Sequence, residues 1–150
     1  MTVENQALHP LLSELTSGDD ARAQTAVDQM ARVPGEKLLP GLKELLSSPD
    51  PDLRWWAVRV LAEIDASECP DLLRKMVGDE DPAVQQCAVL ALRKKPAPEA
   101  VRALAIMEDQ RAIPLFYALL DSESALVTYW AEEGLSRLGV GMVFFDPGAG

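Results

Sequence analysis

His9 is the only histidine of this 150-residue chain, and Cys69 and Cys87 are its only cysteines. Zinc takes three or four close ligands, and haem iron takes an axial imidazole, thiolate or thioether. Neither cysteine has a second Cys or a His near it in sequence, so no metal centre is expected. Covalent catalysis needs a nucleophile, a base and a group that orients the base, and no such grouping is apparent. Acidic residues gather at Asp19-Asp20 and Gly78-Asp79-Glu80-Asp81, and Glu132 adjoins Glu133. Paired carboxylates can move protons or bind a cation, but the first two clusters fall where helices begin. A carboxylate there caps free N–H groups and complements the helix dipole. No glycine-rich phosphate loop occurs. These residue types predict neither catalytic residues nor a metal site, no cofactor, and no enzyme.

The chemistry that remains is recognition, and a repeat must position it. Four segments share a proline, then any residue, then an apolar one: His9-Pro10-Leu11-Leu12, Leu39-Pro40-Gly41-Leu42, Cys69-Pro70-Asp71-Leu72 and Ile113-Pro114-Leu115-Phe116. Each precedes a turn and then an alanine with an apolar residue four places on: Ala26/Met30, Ala57/Leu61, Ala88/Leu92 and Ala131/Leu135. The first three alanines are 31 residues apart, twice over. A fixed period of this size means stacked supersecondary units.

Each unit reads as two antiparallel helices, A then B. In the second, helix A runs from about Glu36 to Leu46, with Pro40 in its first turn, where a missing N–H costs little. Asp50 is placed to cap helix B, with Pro51 at its first position, and Leu53, Ala57, Val60, Leu61 and Ile64 face inward. Asp81-Pro82 opens the third helix B in the same way. The first unit is looser and carries Arg22 where the others have Leu53, Val84 and Val127. Ala131 arrives late, because residues 98–108 interpose one helix, with Ala100, Leu104 and Met107 on one face. It resembles a helix B without a helix A, and either bends the stack locally or tucks onto its outside. The predicted organisation is one domain over 1–139, in units of about 5–35, 36–67, 68–95, the half-repeat 98–108, and 110–139. An apolar tail, 140–150, follows Gly139, which ends the last helix as a left-handed cap.

Apolar residues make up 48% of the chain, which suits a folded domain rather than disorder. The net charge of −10 opposes binding to phosphate backbones, so nucleic acid is not an expected partner. The buried-type spacing of the two cysteines and the lack of a secretory leader or bilayer-length apolar run point to a cytoplasmic protein with no membrane partner.

Asp50-Pro51-Asp52-Leu53-Arg54 with Ala57, Leu61 and Ile64 resembles helix B of a HEAT repeat, and more narrowly the short bacterial HEAT-like repeats of phycobilisome lyases. Asp81-Pro82-Ala83-Val84 is similar, and Asp109-Gln110-Arg111-Ala112-Ile113-Pro114 resembles the lead into helix A, with Gln110 where the family usually has proline. The resemblance implies an all-α, right-handed α-solenoid of about four helix pairs plus the half-repeat, with helices B on the concave side.

With the alanine facing the core, helix B positions two before it, two after and five after face that concave surface. They read Gln24, Trp55, Gln86, Tyr129; Asp28, Arg59, Leu90, Glu133; and Ala31, Ala62, Arg93, Ser136. Large aromatics and arginine are the usual anchors of protein interfaces. Adjacent helical residues point about 100° apart. Of the doublets Trp55-Trp56 and Tyr129-Trp130, the first members should therefore be exposed and the second should pack on neighbouring helices. Trp55, Arg59, Gln86, Leu90, Arg93, Tyr129 and Glu133 are thus the expected partner-binding residues, for an acidic or mixed peptide segment of another protein. Phe144 and Phe145 join them in the tail, which either folds back over the open end of the stack or inserts into a partner or a second copy. The predicted function is an adaptor, assembly factor or accessory subunit. The alternative implied by the lyase resemblance is handling of a tetrapyrrole, stacked on Trp55 and Tyr129 with its propionates on Arg59 or Arg93.

Overall fold

The computed structural model describes the backbone of residues 3–140 and the side chains of residues 8–140. All regular elements among them are helical, as the solenoid class requires. They are α1 (Val3–Leu15), α2 (Asp20–Met30), α3 (Gly35–Leu46), α4 (Pro51–Leu61), α5 (Cys69–Met76), α6 (Pro82–Lys94), α7 (Pro98–Met107), a 3-10 turn (Gln110–Ala112), α8 (Ile113–Ala118) and α9 (Ala125–Arg137). The chain divides into two compact units at Cys69/Pro70.

Short polar side chains start the helices. Asp19 accepts from the Arg22 amide, Asp50 from Asp52, Asp81 from Ala83 and Val84, and Ser124 from Val127. Each such cap stabilises its helix by about 1 kcal/mol. Pro51 and Pro82 follow at the first helical position, where φ is already set. Pro40 does not lie in a first turn: α3 begins at Gly35, so the proline is inside the helix and its ring removes one ladder bond.

In the first unit α1 packs on α2, α3 on α4, and α2 on α4. Leu15, Ala26, Val27, Met30, Leu42, Ala57, Val58, Val60 and Leu61 are fully buried there. Arg22 sits where other repeats place an apolar residue because Glu14 of α1 receives it: Nε and Nη2 donate to the two carboxylate oxygens at 2.7 and 2.8 Å. His9 is exposed, and Leu53, expected in the core, is half-buried. Arg54 is the buried charged residue among the described side chains, and its Nη1 donates to the Ser48 carbonyl at 2.9 Å. It thereby ties the start of α4 to the turn before it.

In the second unit α6 packs on α8, and α7 and α8 both pack on α9. At their N-terminal ends, Gln85 of α6 donates to the carbonyl of Arg111, just ahead of α8, at 2.8 Å. At their C-terminal ends, Arg93 lies 3.9 Å from Asp121. Helices α6 and α8 therefore run side by side in the same direction. The inserted α7 lies between them in sequence and carries the chain back, so that α6 and α8 run parallel. Ala100, Val101, Leu104 and Ala105 of α7 are buried, so the half-repeat packs by one face, against α9. Met107 departs from the expected apolar face: it is exposed at the helix end, 3.5 Å from Arg74 Nη1.

The α7–α8 connector is pinned by Arg111. Its backbone amide, Nε and Nη2 donate to Asp109 at 2.9, 3.1 and 2.9 Å, and Nη1 donates to the Gly78 carbonyl. Helix α9 ends at Gly139 with φ +77, the Gly139 amide on Ser136 and the Val140 amide on Leu135, both at 3.0 Å. These two bonds form a Schellman motif, which requires a left-handed residue and turns the chain back on the helix.

Candidate functional site

The expected partner-binding residues divide between the units. In the first, Trp55 and Trp56 are both half-buried and meet edge to face, with ring centroids 4.8 Å apart. Trp55 is thus less open than its row position implies. Arg59 lies one turn on, and its charge is already engaged: Nη1 is 3.5 Å from Glu63, and Nη2 donates to Gln24 of α2 at 3.2 Å. Gln24 in turn donates to Asp28 at 3.1 Å. The α2–α4 surface is a satisfied polar network beside one half-open indole, and Ala62, assigned to the outward row, is buried.

The second unit is different in kind. Among the described residues, every large apolar side chain classed as exposed lies in it: Leu90, Ile106, Met107, Tyr117, Leu120, Leu126 and Tyr129. On α6, Gln86, Leu90 and Arg93 line one exposed face, with Leu90 51% accessible. On α9, Tyr129 is 55% accessible and meets Trp130 edge to face at 5.0 Å. Trp130, half-buried as expected of the doublet's second member, lies under the Arg102 guanidinium of α7, 5.5 Å from its ring centroid. Glu133 is half-buried and accepts from Arg137 at 3.0 Å.

Arg102, Ile106 and Leu126 fall outside the three helix-B rows. Ile106 follows Arg102 by one turn, and Leu126 precedes Trp130 by one turn, so each pair shares a helix face. The resulting surface reads Ile106, Arg102, Trp130, Leu126, Tyr129 across two packed helices. The sequence held a signal for Arg102, which stands 31 residues before Glu133. Leu126 had none, since an apolar residue at the start of a helix reads as core. The helix bearing Leu90 packs on α8, whereas the helix bearing Tyr129 packs on both α7 and α8. Phe144 and Phe145 lie outside the described residues.

A polar cleft of about 500 Å³ opens between the C-terminal end of α6 and the α8–α9 turn, lined by Arg93, Lys94, Asp121, Ser122, Glu123 and Ser124 among others. Its charges are mixed, and no group of three or more His, Cys, Asp or Glu among the described residues could hold a metal ion. Cys69 and Cys87 are free and buried. No helix among the described residues is long and apolar enough to cross a membrane.

Residues 8–93 match the family pattern of HEAT repeats. The chain belongs to the HEAT-repeat family. HEAT repeats generally mediate protein–protein interaction and are non-catalytic scaffolds. Residues 99–122 of this HEAT-repeat chain match the PBS lyase HEAT-like repeat, a span that runs from α7 through α8. No curated protein sequence matches the chain.

Proposed function

We propose that this HEAT-repeat protein is a non-catalytic interaction module, an adaptor, assembly factor or accessory subunit, that holds a segment of another protein. The observation that carries this reading is the Ile106–Arg102–Trp130–Leu126–Tyr129 surface. Tryptophan, tyrosine and arginine are the residues that most often dominate binding energy, and here they are presented on packed helices rather than loops. A rigid surface loses little entropy on association. Leu90 with Gln86 and Arg93, and Trp55 with Arg59, supply secondary contacts at most, since Arg59 would have to leave Glu63 and Gln24 to meet a partner.

The test is a photo-crosslinking residue introduced at Tyr129, at Leu126 and, as a control, at the exposed Thr25 of α2, in the native host. One polypeptide captured from positions 129 and 126 but not 25 supports the reading. Equal capture from all three, or none from 129 and 126, overturns it. The match of residues 99–122 to the PBS lyase HEAT-like repeat favours one second reading, tetrapyrrole handling. A visible absorption band co-purifying with the protein, lost in Tyr129→Ala, would replace the first reading with it.

A further inference from the structure

Acidic side chains number 24 in this chain and basic ones 14, so most arginines have a carboxylate at hand. Arg22, Arg59, Arg74, Arg93, Arg111 and Arg137 each pair with one. Arg102 is exposed on α7, and no carboxylate among the described residues pairs with it. Its contact is with the Trp130 ring, whose centroid lies 5.5 Å from the guanidinium carbon. That contact engages the charge and leaves the guanidinium without a hydrogen-bond acceptor among the described residues. Arg32 also lacks a carboxylate there, but the large apolar side chains classed as exposed all lie in the other unit. At Arg102 the two features coincide: an unpaired guanidinium and exposed apolar neighbours. Ile106 stands one turn beyond it on α7, and Leu126 and Tyr129 adjoin Trp130 on α9.

A partner that covers Ile106, Leu126 and Tyr129 also takes Arg102 out of water. A desolvated guanidinium with no counter-charge opposes association. A carboxylate can meet it through two parallel N–H···O bonds, the strong form of this pair. Trp130 already holds the guanidinium, so little side-chain freedom is lost when the pair forms. We infer that the segment bound on the α7–α9 surface sets an aspartate or glutamate side chain on Arg102. Apolar side chains on either side of that carboxylate cover Ile106 in one direction and Leu126 and Tyr129 in the other. The inference rests on the α7–α9 surface being the partner site, and it supplies the chemistry of the segment held there. With a net charge of −10, the protein also makes this requirement selective. Carboxylates placed elsewhere face an acidic chain, and a segment with none leaves Arg102 buried and unpaired. One covered pair is little screened, so it adds little salt dependence.

The test uses the full chain and a library of short random peptides displayed on phage. The peptides are joined through their C-termini, so side chains are their only carboxylates. Peptides that bind the unmodified protein but not Tyr129→Ala report on this surface. They are expected to carry an aspartate or glutamate between apolar residues, and to lose about tenfold or more in affinity for Arg102→Gln. Changing that acidic residue to its amide should cost as much against the unmodified protein, and little further against Arg102→Gln. Such coupling would not arise if Arg102 merely supported Trp130. Tyr129-dependent peptides without an acidic residue, or with equal affinity for Arg102→Gln, overturn the inference and leave the surface as a binding site. Equal amide costs against both proteins overturn it in the same way. The absence of any Tyr129-dependent peptide overturns the surface itself and this inference with it.

Discussion

Residue by residue, this protein spends its charge on holding turns and its aromatics on a surface. Asp109 is the clearest case of the first. The Arg111 guanidinium and backbone amide bond to its carboxylate and hold it below the usual range. A carboxyl whose folded pKa is lowered adds stability that is present in full above its unfolded pKa and is lost as pH falls through the folded one. Asp109→Asn keeps an oxygen to cap the turn and removes only the charge facing the exposed Arg111, so it is expected to lower stability at neutral pH by less than about 1 kcal/mol. The difference from the unmodified protein should vanish in acid below the folded pKa of Asp109, as read by denaturant titration at each pH. A gap that persists unchanged at the lowest pH would mean that packing, not ionisation, is responsible. Tyr129 is the clearest case of the second. With more than half its surface in water, Tyr129→Ala should change thermal stability little and weaken the complex by about 2 kcal/mol or more, measured by calorimetry once the partner is in hand. Loss of folding instead would place Tyr129 in the core.

Among the elements, α8 and α9 show how a helix pair can be locked by one missing atom. The Phe116 ring occupies the space a Cβ at Gly134 would need, 2.5 Å from its Cζ. Alanine improves helix propensity by up to about 1 kcal/mol. Overpacking a filled core costs about 1–3 kcal/mol and should win here, because the obstructing group is a fully buried ring. Gly134→Ala should lower the melting temperature, and Phe116→Leu in the same chain should recover part of the loss. Additive losses in the double variant would dismiss the contact as the cause. The caps are a second, independent lever. Asp50→Ala and Asp81→Ala should each cost about 1 kcal/mol, in urea midpoints and without change in slope, because each leaves amide groups of one helix unpaired.

For the whole molecule, a net charge of −10 accompanies the apolar and aromatic α7–α9 surface. A complex held by such a surface should lose less than about threefold in affinity between low and moderate salt, because burial of apolar area is not screened. A steep fall would mean that the acidic faces, not Tyr129 and its neighbours, carry the interaction. Acidity also sets solubility. With a sequence pI near 4.5, precipitation should peak around that pH, where self-repulsion is gone.

The 31-residue spacing of the core alanines, the Asp-Pro starts and the glycine after Leu138 determined the helices and their polarity in the sequence alone, because caps and period are local properties of the chain. Trp130 turning to a neighbouring helix and Cys69 and Cys87 being buried were legible for the same reason. What only the tertiary structure decided is which helices meet. With α7 interposed, the helix bearing Leu90 packs on α8 and the helix bearing Tyr129 packs on α7 and α8, although their repeat positions are related. Arg102 becomes a surface neighbour of the aromatic doublet only through that packing, and Arg59 gains its hydrogen bond to Gln24, 35 residues away, only because α2 lies beside α4. Contacts between distant segments depend on how faces are paired in space, and a local pattern does not contain that pairing.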